Sequence, residues 1–151
     1  MKRFLFFLTA ILFFSFAGIA QTVEDSVKAA VNLLFTGMKN ADAAMVRSSF
    51  GDSCVFQTIA RTKEGNTVVR NEKPEDFANS IGNLKKGAAD EQIVFETIKI
   101  DGPLAMVWTP YKFYYEGNFS HCGVNCFQLV RFNGVWKIQY IIDTRRKQPC
   151  N

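Results

Sequence analysis

Apolar residues recur at helical spacing from Thr22 to Phe50, then largely alternate, and the change of period divides the chain. Val27, Ala30, Val31, Leu34 and Met38 form the stripe of a first helix, which Thr22 and Asp25 open at capping-box spacing. Asp42 can cap a short second helix over 43–50. Residues 53–62 and 66–72 then flank Lys63-Glu64-Gly65 and predict a hairpin. Pro74 begins a third helix, with Phe77, Ile81 and Leu84 on one side and Gly87 as its stop. Four strands follow, at 91–100, 104–116, 120–132 and 135–143, joined by turns at Asp101-Gly102-Pro103, Gly117-Asn118 and Asn133-Gly134. The order predicts an α+β domain in which three helices cover one face of a mostly antiparallel sheet of about six strands.

The ends of the chain change this picture. Residues 1–20 carry Lys2 and Arg3, an apolar run from Phe4, and Gly18 and Ala20 at the minus-three and minus-one positions of a cut before Gln21. That pattern predicts a signal peptide and hence a soluble protein exported to the periplasm or beyond. The domain then spans 21–147, and 148–151 form a C-terminal tail. Removing Lys2 and Arg3 leaves 16 basic against 14 acidic side chains, a formal charge of +2. Arg145, Arg146 and Lys147 supply more than that excess, so the basic balance belongs to the tail and predicts neither a nucleic-acid partner nor, after cleavage, a membrane. With no phosphate loop, nucleophile elbow or EF-hand in the sequence, no cofactor is expected.

The chemistry concentrates in Asn118–Phe127, NFSHCGVNCF, which holds the single histidine between two of four cysteines. If Asn133-Gly134 is a two-residue turn, Phe132 opposes Val135. His121, Gly123, Asn125, Phe127 and Leu129 then share a face with Trp136, Ile138, Tyr140, Ile142 and Thr144. That face is the more apolar and should look toward the helices; Cys122, Cys126, Asp143 and Arg145 fall on the other. Cys122 and Cys126 lie about 13 Å apart in a strand, too far for a mutual disulfide or a shared metal, and His121 points away from both. No metal site is therefore predicted, and the place to look for a bulge that would change this is Gly123. The surviving pairings are 54–122 with 126–150, or 54–126 with 122–150, so a bridge would join Cys150 to Cys122 or Cys126. The preceding strand adds to the inner face either Trp108 and Tyr114, or Tyr111 and Tyr115, according to the parity of its turn.

The element order, closed by residues 121–146, resembles the nuclear transport factor 2-like (NTF2-like) superfamily. It is most similar there to the SnoaL-like and lumazine-binding-like exported bacterial proteins. The resemblance spans Gln21 to Lys147 and rests most on His121-x-Gly123 with Phe127, Leu129, Trp136-Lys137-Ile138 and Asp143-Thr144-Arg145. It implies a cone whose curved sheet and helices enclose a pocket, and a homodimer formed through the outer face of the sheet. It also favours Tyr111, since Pro110-Tyr111 matches the family's pattern. The superfamily's isomerases carry a carboxylate base inside the cone, whereas the first strand here has no acid. Its dehydratase-like members use more than one histidine, and this chain has one. The preferred reading is a protein that binds a small apolar or aromatic molecule through His121, Asn125, Tyr111, Trp108 and Tyr140. The alternatives are a dehydratase, isomerase or cyclase with His121 as general acid or base, and a non-catalytic dimerisation domain.

Overall fold

The computed structural model describes residues 22–150; the signal sequence predicted at 1–20 lies outside them. Helix α1 runs Val23–Asn40 and α2 runs Ala43–Ser49. Thr22 Oγ1 accepts the Asp25 amide at 3.0 Å while the Thr22 amide donates to the Asp25 carboxylate at 3.2 Å, completing the capping box. The Asp42 carboxylate accepts the Met45 amide at 2.9 Å and starts α2. Strands β1 (Phe50–Arg61) and β2 (Thr67–Glu72) form the expected hairpin, and α3 (Pro74–Gly82) follows it. The remaining strands are β3 (Ala89–Ile93), β4 (Thr97–Asp101), β5 (Leu104–Tyr115), β6 (Asn118–Phe132) and β7 (Val135–Arg146).

The sheet order is β2-β1-β7-β6-β5-β3, with β4 also pairing β5. All pairs are antiparallel except β1 with β7. The single strand expected over 91–100 is thus two. β3 pairs with Tyr111–Tyr115 and β4 with Leu104–Trp108, so both lie along the same edge of β5. The α3 helix also ends at Gly82, and a turn carries the chain on to Gly87 at φ +83°.

The core lies between the helices and the concave face. Phe127, Leu129, Ile138 and Val107 meet Val27, Val31 and Leu34 there, all essentially without exposed surface, and Phe35 sets its ring edge-on to Phe127 at 6.1 Å between centroids. Trp136 closes one end of this layer and donates its indole N–H to Ser26 Oγ at 3.1 Å, which ties β7 to α1. Among the described residues no helix is long and apolar enough to cross a membrane.

Two single-residue irregularities decide what the concave face carries. Glu116 and Gly117, both at positive φ, make a two-residue turn in which Tyr115 opposes Asn118. The β5–β6 register then slips at Ser120, so that Phe113 opposes His121 and Tyr111 opposes Gly123. Asn133 and Gly134, also at positive φ, hold Phe132 opposite Val135 as expected, and that register lasts to Leu129 opposite Ile138. There it shifts by one residue: Gln128 opposes Tyr140 and Asn125 opposes Asp143. The extra residue is Gln139, whose side-chain amide donates to Ser53 Oγ at 2.8 Å. The bulge therefore sits at Gln139 and not at Gly123. Beyond it a strand's two faces exchange, because side chains alternate with period two.

Candidate functional site

The concave face and the helices enclose a cavity of about 100 Å³. Its apolar wall comes from Leu34, Phe35 and Met38 on α1, Phe77 and Ile81 on α3, and Phe56 on β1, with Ile141 from β7. Its polar end is made by Glu91, Tyr111, His121, Asn125, Asp143 and Arg145, which come from β3, β5, β6 and β7.

Three of the five ligand-binding residues expected from sequence, His121, Asn125 and Tyr111, line this cavity. The other two do not. The Gln139 bulge turns Tyr140 to the convex face, where its hydroxyl donates to Gln57 Oε1 at 2.7 Å. Trp108 occupies the opposite face of β5 from Tyr111, is 41% exposed, and stands beside Cys126. The cysteine options resolve as Cys122–Cys150, with Cys54 and Cys126 free. This bridge fastens the tail beside the end of β7, and Lys147 adds a hydrogen bond to the Ser120 carbonyl at 2.7 Å.

The bulge brings in Asp143 and Arg145, which the simpler register places outside. Asp143 is buried; its Oδ2 accepts Arg145 Nε at 2.8 Å and the Tyr111 hydroxyl at 3.2 Å. Its Oδ1 is buried with no hydrogen-bond partner among the described residues. Glu91 is the second carboxyl group, half-buried as a residue but with Oε1 accepting Asn125 Nδ2 at 2.7 Å. Burial pushes the Glu91 carboxyl up to about 7, Asp143 adds to that, and Asn125 and Arg145 oppose it. Burial, then the charges of Asp143 and Glu91, keep the Tyr111 phenol protonated well above its ordinary range. Burial and then Arg145 hold the His121 imidazole below its usual range, so it is neutral at pH 7. Its ring lies between Tyr111 and Phe113, and Nδ1 is 3.1 Å from Ser120 Oγ. The polar end thus offers a neutral imidazole, a phenol donor, a guanidinium and two carboxyl groups.

No family model and no curated protein matches the sequence. The fold does match solved structures. An NTF2-like protein of unknown function from Shewanella baltica OS155 aligns with a TM-score of 0.63 at 14% identity, covering 83% of this chain and 94% of the other. One from Shewanella oneidensis MR-1 aligns with a TM-score of 0.64 at 12% identity, covering 82% and 99%. A domain of unknown function with a cystatin-like fold from Nostoc punctiforme PCC 73102 aligns at 0.63 and 12% identity, covering 83% and 78%. This chain has the NTF2-like fold. At such identity the likeness establishes the architecture and leaves the activity to be argued from the side chains. In this NTF2-like cone the acids come from β3 and β7, and the one acid of β1, Asp52, is exposed, so the first strand says nothing about carboxyl groups in the pocket. Glu91 carries no sequence signal of its own, being one of two adjacent acids in a short edge strand.

Proposed function

We propose that the chain is an exported small-molecule-binding protein whose ligand occupies the cone, with an apolar part against Phe35, Phe56 and Phe77 and a hydrogen-bond donor at Asp143. The observation that carries this reading is Asp143 Oδ1: a buried acceptor without a partner among the described residues, on a residue that lines a cavity. Such an atom costs about 1–3 kcal/mol when left unmet, and a ligand donor recovers that. The volume sets the size. An apolar cavity of about 150 Å³ takes up benzene, so about 100 Å³ suits one branched aliphatic chain or a small ring.

The test is a thermal-shift screen of small apolar alcohols, amines and phenols on wild type, Asp143→Asn and His121→Ala. A ligand present at a hundred times its Kd is expected to stabilise wild type by about 2.7 kcal/mol and Asp143→Asn by much less. Equal shifts in wild type and Asp143→Asn would sink the reading.

A second reading is favoured by one observation, the Glu91 carboxyl poised near neutrality beside Asp143. Two carboxyl groups in one pocket with different environments are suited to general acid and base roles, with His121 as a further base. In that case Glu91→Gln abolishes turnover of a bound ligand while its affinity persists. The expected homodimer would use the convex face, where Trp108 and Val55 are exposed. Sedimentation should then find two chains, and intact mass of the exported protein should begin at Gln21; a monomer or a retained residue 1 would refute the respective part.

A further inference from the structure

A second cavity, of about 420 Å³, opens on the other side of Arg145. It is lined by Thr58 and Arg61 on β1 and by Arg70 and Glu72 on β2, and Arg145 belongs to its wall as well as to that of the cone cavity. Arg145 is anchored by Nε on Asp143 at 2.8 Å and by Nη2 on Thr58 Oγ1 at 3.2 Å, which leaves three of its five N–H groups for other partners. Arg61 and Arg70 are exposed and make no ion pair among the described residues. Glu72 is the one acid in the groove, and burial, opposed by Arg145, raises its carboxyl above the ordinary range. With Arg145 already matched by Asp143, the groove keeps an excess of one positive charge over Glu72.

Acceptors and cations are therefore segregated across one side chain. Glu91 and Asp143 stand on the cone side and would repel an anion there. Arg70 and Arg61 stand on the groove side and would attract one. We propose that the ligand of the cone is a small carboxylate bearing a hydroxyl or ammonium group on the adjacent carbon. Its apolar chain fills the cone, its donor meets Asp143, and its carboxylate lies over Arg145 toward Arg70. The proposal rests on the reading of the cone as a binding site and names the class of molecule. The juxtaposition demands this class because Asp143 and Arg145 are in direct contact, so groups that satisfy both must be neighbours on the ligand. Guanidinium groups suit the other partner, since they take a carboxylate with two parallel hydrogen bonds.

The test is calorimetric titration with leucic acid, leucine, the neutral amide of leucic acid, and isocaproic acid, which lacks the donor. Leucic acid or leucine is expected to bind best. Loss of the charge in the amide should weaken binding by about tenfold, as should loss of the donor in isocaproic acid. The advantage of the acid over the amide should shrink as salt is raised, diminish in Arg70→Gln, where Arg145 alone still faces the carboxylate, and persist in Arg70→Lys. Arg70 is exposed, so these variants should fold as wild type does, which their melting temperatures verify. If acid and amide bind equally, or Arg70→Gln keeps the preference undiminished, the carboxylate assignment is overturned while cone binding stands. If none of the four binds while an alcohol, amine or phenol of the thermal-shift screen does, the carboxylate assignment falls alone; if neither set binds, the cone reading falls with it.

Discussion

Replacing Gly123 by alanine is expected to destabilise the protein by about 3 kcal/mol, the upper part of the range for side chains forced into packed interiors. Gly123 is buried in β6 between Tyr111 on β5 and Arg145 on β7. A Cβ there would overlap the Thr144 carbonyl oxygen and stand 2.8 Å from Tyr111 Cε1. Neither neighbour can yield cheaply. The carbonyl belongs to a strand in register, and the Tyr111 hydroxyl is held by Thr144 O at 2.9 Å and Asp143 Oδ2 at 3.2 Å. Glycine in a strand interior often marks such a close approach of a second backbone. The loss should appear in urea denaturation of wild type and variant, and ligand binding should fall with it, since displacing Tyr111 disturbs Asp143. A cost below about 1 kcal/mol would mean that β6 and β7 are not this close.

Gly123 also shows how far the sequence could be read. Its place on the inner face with His121, Asn125, Phe127 and Leu129 follows from alternation and the Asn133-Gly134 turn, and the structure puts all five on the concave side. Capping residues located α1 and α2 for the same reason: each satisfies named backbone groups at its own helix end. What was not legible is the phase of β7 beyond Ile138. Trp136, Ile138, Tyr140 and Ile142 share one phase of the strand, whereas the other offers Ile141 but also Asp143 and Arg145, so alternation favours the unslipped register and gives no sign of a slip that buries an acid. The energetic cue that selects the slip is tertiary: Gln139 finds Ser53, and Asp143 finds Arg145 and Tyr111. Trp108 and Tyr140 leave the inner face for the same reason, a one-residue slip, at Ser120 in β6 for the first and at Gln139 in β7 for the second. Glu91 escaped notice because an acid on an edge strand ordinarily faces water.

Glu91 supplies the second large effect. Its carboxyl titrates at about 7 in the folded chain against an ordinary 4.5. Between those pH values the native state holds a proton that the unfolded chain has lost, so stability must fall as pH rises across that window and level off above it. The full shift would correspond to about 3 kcal/mol; since Glu91 is partly exposed, about 1–2 kcal/mol is the expected size. His121 works the other way. Its lowered pKa means that the native state binds fewer protons in the acidic range, and stability from this source rises with pH. Only a difference between variants separates the two. Glu91→Gln, which keeps an acceptor for Asn125, should match wild type near pH 4 and exceed it by about 1–2 kcal/mol near pH 8, measured by urea denaturation at each pH. Equal stability at both would place the Glu91 carboxyl in water rather than in the pocket. A carboxyl group that changes charge near neutrality also changes what the cone accepts: protonated, it can donate to a hydroxyl oxygen; ionised, it favours an ammonium. The pH at which the stability difference levels off, set by the folded-state titration of Glu91, is therefore also the pH at which preference between a hydroxy acid and an amino acid should cross.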